Sequence, residues 1–450
     1  MIEPLRSGDS ALVLGLGLYG RAVTEALVDR GVMVTVIEDR PSDTSAETAM
    51  GLGAGFLAAP DAALIRSAMG ASHVFLPSPG VPEAHPAFAI AAELETPIAS
   101  EFDLARWWDD RPIAAITGTD GKTTVTMLTV AMLQAAGVNA VAVGNTETPL
   151  IAAIDDPAVD VFVVEASSFR LGHTQAFAPR VAAWLNWGPD HLDVHVDLDT
   201  YARAKASIWD HLPEDGVAVA TLSDRVVMAY APKDRRVITV GDGGVARQND
   251  GHLVVGDTVV APVDALPRTF DHDITNTLTA AAIALEFGAT ADHIETAIRT
   301  HEQLPHRIQY VATVDGIDWY NDSKATVPHA VVTALRSFDR AVLIAGGKNK
   351  GLDLGEIREA DAHIASVVAI GDAGPDVVEA FEGQFPIVSA DSMDAAVAAA
   401  RKLAEPGEVV LLSPGCASYD WYSSYGARGD DFIRAVRDLD GRAASEPGDE

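Results

Sequence analysis

The sequence predicts an α/β protein of several domains built on parallel sheets, and three observations carry that expectation. Two short apolar strands, at residues 11–14 and 113–116, each run straight into a glycine-rich turn and then a helix. The alternation of strand and helix restarts once more beyond Leu304-Pro305. The chain has 450 residues, too many for one hydrophobic core when domains hold roughly 100–200 residues each.

Taken in order, Ala11 to Leu14 reads as a strand, Gly15-Leu16-Gly17-Leu18-Tyr19-Gly20 as its turn, and the stretch to Asp29 as a helix. A second strand follows at Val32 to Ile37, then a strand at Val74 to Leu76 and a helix at Pro86 to Leu94. Asp109-Asp110-Arg111-Pro112 has linker composition, so residues 1–110 form an N-terminal, Rossmann-like domain. Ile113 to Ile116 opens a second β-α-β unit, with a helix from Lys122 to Ala136. Val161 to Glu165 and Val181 to Asn186 are near-continuous apolar runs, as expected of parallel strands covered on both faces. Short strands between Val217 and Pro267 and a helix from Asn276 to Phe287 complete a central domain over 111–303, of P-loop ATPase type. Strands near Trp319 and at Ala341 to Ala345, Val367 to Ile370 and Val409 to Leu412 give a third domain, 304–450, again Rossmann-like. Its tail, from Ala443 on, is small and acidic and reads as disordered.

Composition narrows the class. With 48% apolar residues the chain can bury real cores. Its formal net charge of −33 repels polyanions, so nucleic-acid and anionic-membrane partners are not expected. Such acidity also suits a salty cytoplasm, where screening relieves self-repulsion. No apolar run is long enough to span a bilayer and the polar start lacks a signal-peptide pattern, so the expected location is cytoplasmic. Cys416 is the single cysteine and reads as a buried filler.

Both glycine loops have phosphate chemistry. Gly15-x-Gly17-x-x-Gly20 lies between strand and helix, where backbone amides and a helix N-terminus can face a diphosphate. Glu38-Asp39 ends the next strand, where an acid can bind a ribose hydroxyl, and Arg40 adds a cation. Gly118-Thr119-Asp120-Gly121-Lys122-Thr123-Thr124 is the stronger signal, since it gathers amides, an ammonium and hydroxyls at one helix start. Lys122 can offset triphosphate charge and Thr123 can ligand Mg²⁺. Ile116 stands where the ordinary P-loop has its first glycine, so this loop is a shortened variant.

That loop, with Ser78-Pro79-Gly80, Glu165-Ala166-Ser167-Ser168-Phe169, Asp190-His191-Leu192-Asp193, Leu304-Pro305-His306-Arg307, Asn321-Asp322-Ser323-Lys324-Ala325-Thr326 and Ser413-Pro414-Gly415-Cys416-Ala417-Ser418, resembles the Mur ligases over nearly the whole chain. These are the ATP-dependent amino-acid-adding enzymes of peptidoglycan synthesis. Within the family the resemblance is to the member that adds D-glutamate to UDP-N-acetylmuramoyl-L-alanine. It implies those substrates with ATP, two Mg²⁺ ions, a monomeric state and an acyl-phosphate mechanism.

The resemblance also implies roles. Lys122, His191, Lys205 and Arg307 would be catalytic, and Thr123, Glu165, His191 and a carbamylated Lys205 would hold metal. ATP would lie against Gly118, Thr119, Asp120, Gly121, Lys122, Thr123, Thr124, Asn276, Arg307 and Asp322. The uridine nucleotide would take Gly15, Leu16, Gly17, Glu38, Asp39, Arg40, Ser78, Pro79, Gly80 and Asn145, and the incoming glutamate Lys324, Thr326, Lys350, Ser418 and Tyr425. Read alone, His191 is more readily a helix cap or packed histidine, and Lys205 a solvated charge on a helix from Tyr201 to Asp210. His191 with His195 would make a zinc pair one turn apart, but Leu192 replaces the glutamate such a motif needs.

Several residues depart from the family pattern: Asp120 for Asn, Arg170 for Gln, Asp273 for Asn, Tyr425 for Phe, and Lys348 for an acid. They leave the exact amino acid and nucleotide open. The alternatives are a ligase adding another amino acid such as L-glutamate, a dinucleotide oxidoreductase favoured by the first loop alone, and a nucleotide-binding protein without turnover.

Overall fold

Ile113–Thr117 is buried at every position, and so are Val161–Glu165 and Val181–Trp184. Runs of this kind can sit only in the interior of a sheet covered on both sides. The computed structural model describes residues 3–190, 194–301 and 305–443. Its strands are β1 (Ser10–Leu14), β2 (Met33–Glu38), β3 (Gly55–Ala58), β4 (Val74–Pro77), β5 (Ile113–Thr117), β6 (Ala140–Gly144), β7 (Val161–Glu165), β8 (Val181–Trp184), β9 (Val217–Thr221), β10 (Arg236–Val240), β11 (Ala246–Asn249), β12 (His252–Val255), β13 (Thr258–Pro262), β14 (Gln309–Val314), β15 (Ile317–Asn321), β16 (Ala341–Gly346), β17 (Ile364–Ile370), β18 (Ile387–Ala390) and β19 (Val409–Gly415).

They form three sheets. The first has the order β3-β2-β1-β4 and is parallel throughout. The second runs β13-β12-β11-β10-β9-β8-β5-β7-β6; it is parallel from β6 to β10 and finishes in the antiparallel strands β11 to β13. The third runs β14-β15-β19-β16-β17-β18, parallel except for the β14–β15 hairpin. In each, the strand order reverses about an inner strand, and ligand crevices of open α/β sheets lie at the carboxyl ends of strands at such points.

The chain divides into two compact units, Met1–His301 and Glu302–Glu450. The first two sheets share a unit because one apolar cluster runs from Val13 and Val36 through Phe102 to Phe162 and Trp184. The helix Glu101–Trp108, opened by a Ser100–Asp103 capping box, stitches the two sheets together. Asp103 Oδ1 accepts from the amides of Gln175 and Ala176, each at 2.7 Å. The stretch read as a linker is pinned as well: Arg111 pairs with Asp109 and donates to the carbonyls of Asp156 and Val159.

Several element ends move from their expected positions. The helix expected from Asn276 begins a turn earlier, Asp271–Glu286. The helix expected over Tyr201 to Asp210 is Leu198–Ala206 followed by a 3₁₀ turn, because Asp197 caps its start by accepting from the Thr200 amide at 2.7 Å. Cys416 is buried, as a filler should be. The tail from residue 444 lies outside the described residues. Among those described, no helix is long and apolar enough to cross a membrane.

Candidate active site

The loop after β1 is built by glycine and one carboxylate. A Cβ on Gly20 would lie 1.8 Å from the Gly15 carbonyl oxygen, so the following helix can start against the turn only with glycine there. Glu38 Oε2 accepts from the Leu16 amide at 2.8 Å, and Ser78 Oγ, from the loop after β4, donates to the Gly15 carbonyl at 3.2 Å. Gly15, Leu16, Gly17, Ser78, Pro79 and Gly80 are thus drawn to one sheet end, with Glu38 holding the turn. Asp39 and Arg40 are exposed beyond β2, and Asp39 lies 3.0 Å from His85 Nε2.

The loop after β5 is tighter. Gly121 caps the helix Lys122–Ala135 with φ +82°, a left-handed conformation that suits glycine, and a Cβ on it would meet Asn276 Oδ1 at 2.8 Å. Asn276 therefore lies directly against the turn. The amides of Thr119 and Asp120 both donate to Asn186 Oδ1 at 2.9 Å, and Tyr201 Oη lies 3.1 Å from Thr119 Oγ1. Sequence reasoning missed Asn186 and Tyr201 as loop supports, since nothing local marks them.

Two lysine side chains converge here. Lys122 Nζ donates to the carbonyls of Gly118 and Thr119 at 2.9 and 2.8 Å, and Lys205 Nζ donates to Gly118 at 2.7 Å. Lys205 is only 2% exposed, so its reading as a solvated charge fails: helix packing turns it inward onto the loop. Burial, and next the nearby Lys122 charge, hold its pKa well below the usual lysine value, against the opposing pull of Asp190 and Asp120. Glu165, at the end of β7, is buried too. Its Oε1 accepts from Asn145 Nδ2 at 3.0 Å, while its Oε2 is buried without a hydrogen-bond partner. An orphaned carboxylate oxygen at the same end of the sheet as the hydroxyls of Thr123 and Thr124 is a donor set that fits a hard divalent cation such as Mg²⁺. His191 lies outside the described residues.

In the second unit, Asp322 directly follows β15 with its carboxylate engaged: Oδ1 accepts from the Ile308 amide at 3.1 Å and Oδ2 from Ser413 Oγ at 2.8 Å. Arg428, missed in the sequence, is buried under this segment and donates to Ser323 Oγ at 2.9 Å and to the Cys416 carbonyl at 3.1 Å. Burial lowers its pKa to about 10. Lys324 Nζ lies 6.0 Å from the centre of the Tyr425 ring. Ser418 is buried, Thr326 and Arg307 are half-buried, and Lys350 and Tyr425 are exposed.

Two family models match the sequence: the Mur ligase middle domain over residues 116–284 and the glutamate ligase domain of Mur ligases over residues 306–416. A protein of Desulfosudis oleivorans named UDP-N-acetylmuramoylalanine–D-glutamate ligase is 38% identical, across 95% of this chain and 96% of that protein. The chain belongs to the Mur ligase family. Proteins of the same name from Frankia casuarinae and Salinibacter ruber are 38% and 37% identical, with 97% and 95% of this chain and 95% and 98% of theirs aligned. Solved structures share the fold: a pseudomurein peptide ligase type C from Methanothermus fervidus (TM-score 0.58, 14% identity, 97% of this chain and 100% of that one) and MurF from Acinetobacter baumannii (0.57, 18%, 95% and 91%). Mur ligases are ATP-dependent, ADP-forming amide ligases, and this chain is one of them.

Three departures of this Mur ligase from the family pattern, at Arg170, Asp273 and Asp120, come with neighbours of opposite or opposing charge effect. Arg170, in the glutamine position, lies 3.1 Å from Glu101 and stacks 3.6 Å over the Tyr19 ring, while Nη1 reaches Asn145 Oδ1 at 3.5 Å. Burial raises the Glu101 pKa to about 7 despite the arginine. Tyr19 in turn donates to the Gly144 carbonyl. Asp273, in the asparagine position, is gripped by Arg268 through two bonds of 2.6 and 2.7 Å. Asp120 lies near enough to Lys205 for its charge to oppose the burial that lowers the lysine's pKa.

Proposed function

We propose that this Mur ligase joins D-glutamate to the alanine carboxylate of UDP-N-acetylmuramoyl-L-alanine, as a cytoplasmic monomer serving peptidoglycan synthesis. The observation that carries the reading is the Lys122 ammonium on the Gly118 carbonyl, at the same sheet end as the orphaned oxygen of Glu165. A carboxylate attacking a γ-phosphate brings two anions together, and that encounter needs concentrated positive charge in a water-poor site. The name of the relatives supplies the substrates.

In this reading residues 1–110 hold the uridine nucleotide through the loops at Gly15–Gly17, Glu38–Arg40 and Ser78–Gly80, with Asn145 meeting the sugar-peptide end. Residues 111–303 hold ATP through Gly118–Thr124 and Asn276. Residues 304–450 bring Arg307 and Asp322 to ATP and offer Lys324, Thr326, Lys350, Ser418 and Tyr425 to glutamate. Lys122 stabilises charge on the transferring phosphoryl group, and the terminal alanine carboxylate becomes an acyl phosphate. The glutamate amine then displaces phosphate to form the amide.

Two Mg²⁺ ions, held by Thr123, Glu165, His191 and carbamylated Lys205, would neutralise phosphate charge. Support for the carbamate comes from the depressed Lys205 pKa. A lowered pKa raises the share of neutral amine, the nucleophilic form that adds CO₂, and the resulting anion suits a cation site.

Phosphate release by the purified protein with Mg²⁺, ATP and UDP-N-acetylmuramoyl-L-alanine tests the reading. Release that requires D-glutamate is expected. Release with L-glutamate alone would move the specificity and keep the mechanism, and no amino-acid-dependent release would favour a nucleotide-binding protein.

A further inference from the structure

Away from the loops, His195 sits at the centre of a buried polar chain. Its side chain is 2% exposed, with Nδ1 2.8 Å from Glu83 Oε1 and Nε2 2.9 Å from Ser168 Oγ. Glu83 follows Ser78-Pro79-Gly80 on the loop after β4, and it clasps the His195 segment twice more: its amide donates to the Val194 carbonyl at 3.0 Å and its Oε2 accepts from the Val196 amide at 3.1 Å. Ser168 opens the short helix just after Glu165. The imidazole packs between Phe169 and Tyr201, with ring centres at 5.6 and 5.4 Å. Tyr201, fully buried, ends on Thr119 of the nucleotide loop.

The Ser168-His195-Glu83 order has the connectivity of a hydrolytic triad, but its environment argues otherwise. Ser168 is 2% exposed, and the neighbouring cavity is lined by Phe169, Arg170 and His173, not by the serine or His195. A nucleophile without access to substrate does no chemistry; a satisfied buried network instead fixes the elements it joins.

We propose that His195 is a positioning residue that couples the loop Ser78–Glu83 to the turn after Glu165 and to the Thr119 loop. The inference rests on the reading above, in which the first loop meets the nucleotide-sugar and the other two meet ATP and metal. A shift of Glu83 on nucleotide-sugar binding moves the imidazole, and close packing passes that displacement to Ser168 and Tyr201 rather than absorbing it. Coupling of this kind is reciprocal between the two ligands.

The test is calorimetric binding of Mg²⁺ with a non-hydrolysable ATP analogue to the full chain, with and without UDP-N-acetylmuramoyl-L-alanine. The wild-type protein is expected to bind the analogue more tightly with the nucleotide-sugar present, by on the order of 5- to 150-fold. Glu83→Ala and His195→Phe are expected to bring that factor to about one, while affinity for the analogue alone shifts less than about threefold. His195→Gln, able to reach one partner and not both, is expected to fall between. A wild-type factor of one, or a wild-type factor kept in Glu83→Ala and His195→Phe, overturns the proposal. Should His195→Phe fail to fold, Glu83→Ala decides, because Glu83 is 20% exposed and lies outside the apolar core. D-Glutamate-dependent phosphate release by the wild type is read separately: coupling without release sinks the assigned reaction and leaves the coupling standing.

Discussion

Lys122 and Lys205 donate to one backbone carbonyl, that of Gly118, at 2.9 and 2.7 Å. Burial and the neighbouring Lys122 charge hold the Lys205 amine well below the usual lysine pKa. The loop thus carries one ammonium suited to meet phosphate and one amine suited to react.

Lys122→Ala is expected to lower kcat by about 10²- to 10³-fold or more while the thermal midpoint stays close to wild type. The side chain is half-buried, and its bonds to the Gly118 and Thr119 carbonyls of its own loop are each worth about 1 kcal/mol net. Turnover within tenfold of wild type would remove Lys122 from the reaction.

Lys205 gives a prediction with a gas as reagent. If its amine carries a carbamate, depleting dissolved CO₂ lowers activity, bicarbonate restores it, and ¹³CO₂ yields a carbamate carbon signal absent from Lys205→Met. The unmodified lysine has a pH signature. Its folded pKa lies below the ordinary lysine value of 10.5, so the unfolded state binds the extra proton between those values. Stability therefore rises with pH across that window, and the rise is expected to vanish in Lys205→Met. Equal slopes in urea titrations of both proteins would contradict the assignment.

What the sequence made legible was the chemistry that local pattern dictates. The Gly118–Lys122 loop needs glycine, lysine and hydroxyl at fixed spacing, so its residues announce it. Lys205 lies in Leu198-Asp199-Thr200-Tyr201-Ala202-Arg203-Ala204-Lys205-Ala206, a stretch polar enough to read as solvated, and only tertiary packing buries it. Glu38 occupied the position of a ribose acid, yet holds the Leu16 amide. Arg170 and Glu101 look like unrelated charges until two sheets bring them to 3.1 Å. Partners so distant in sequence leave no periodic trace.

The Arg170–Glu101 pair predicts non-additive stability. Glu101→Ala leaves a buried guanidinium unpaired and is expected to cost about 3–5 kcal/mol, whereas Glu101→Gln with Arg170→Gln removes both charges and recovers most of it. Because burial raises Glu101 from 4.5 to about 7, the folded state binds its proton more tightly, and this group's contribution falls as pH rises through that range. The double variant is expected to lose that fall. Additive losses in a denaturant cycle would show that the pair is not coupled.

Gly121 joins conformation to ligand binding. Alanine there must adopt φ +82°, which costs roughly 1–2 kcal/mol, and its Cβ would also press on Asn276 Oδ1 at 2.8 Å. Gly121→Ala is expected to weaken Mg·ATP binding at least tenfold, because the amides that begin the helix turn away from their common focus. Adding Asn276→Ala removes the collision and leaves the strained φ, so stability should return in part while nucleotide affinity stays low. Full recovery of affinity in that double variant would mean that steric contact alone sets the turn, and that Asn276 contributes nothing to the nucleotide.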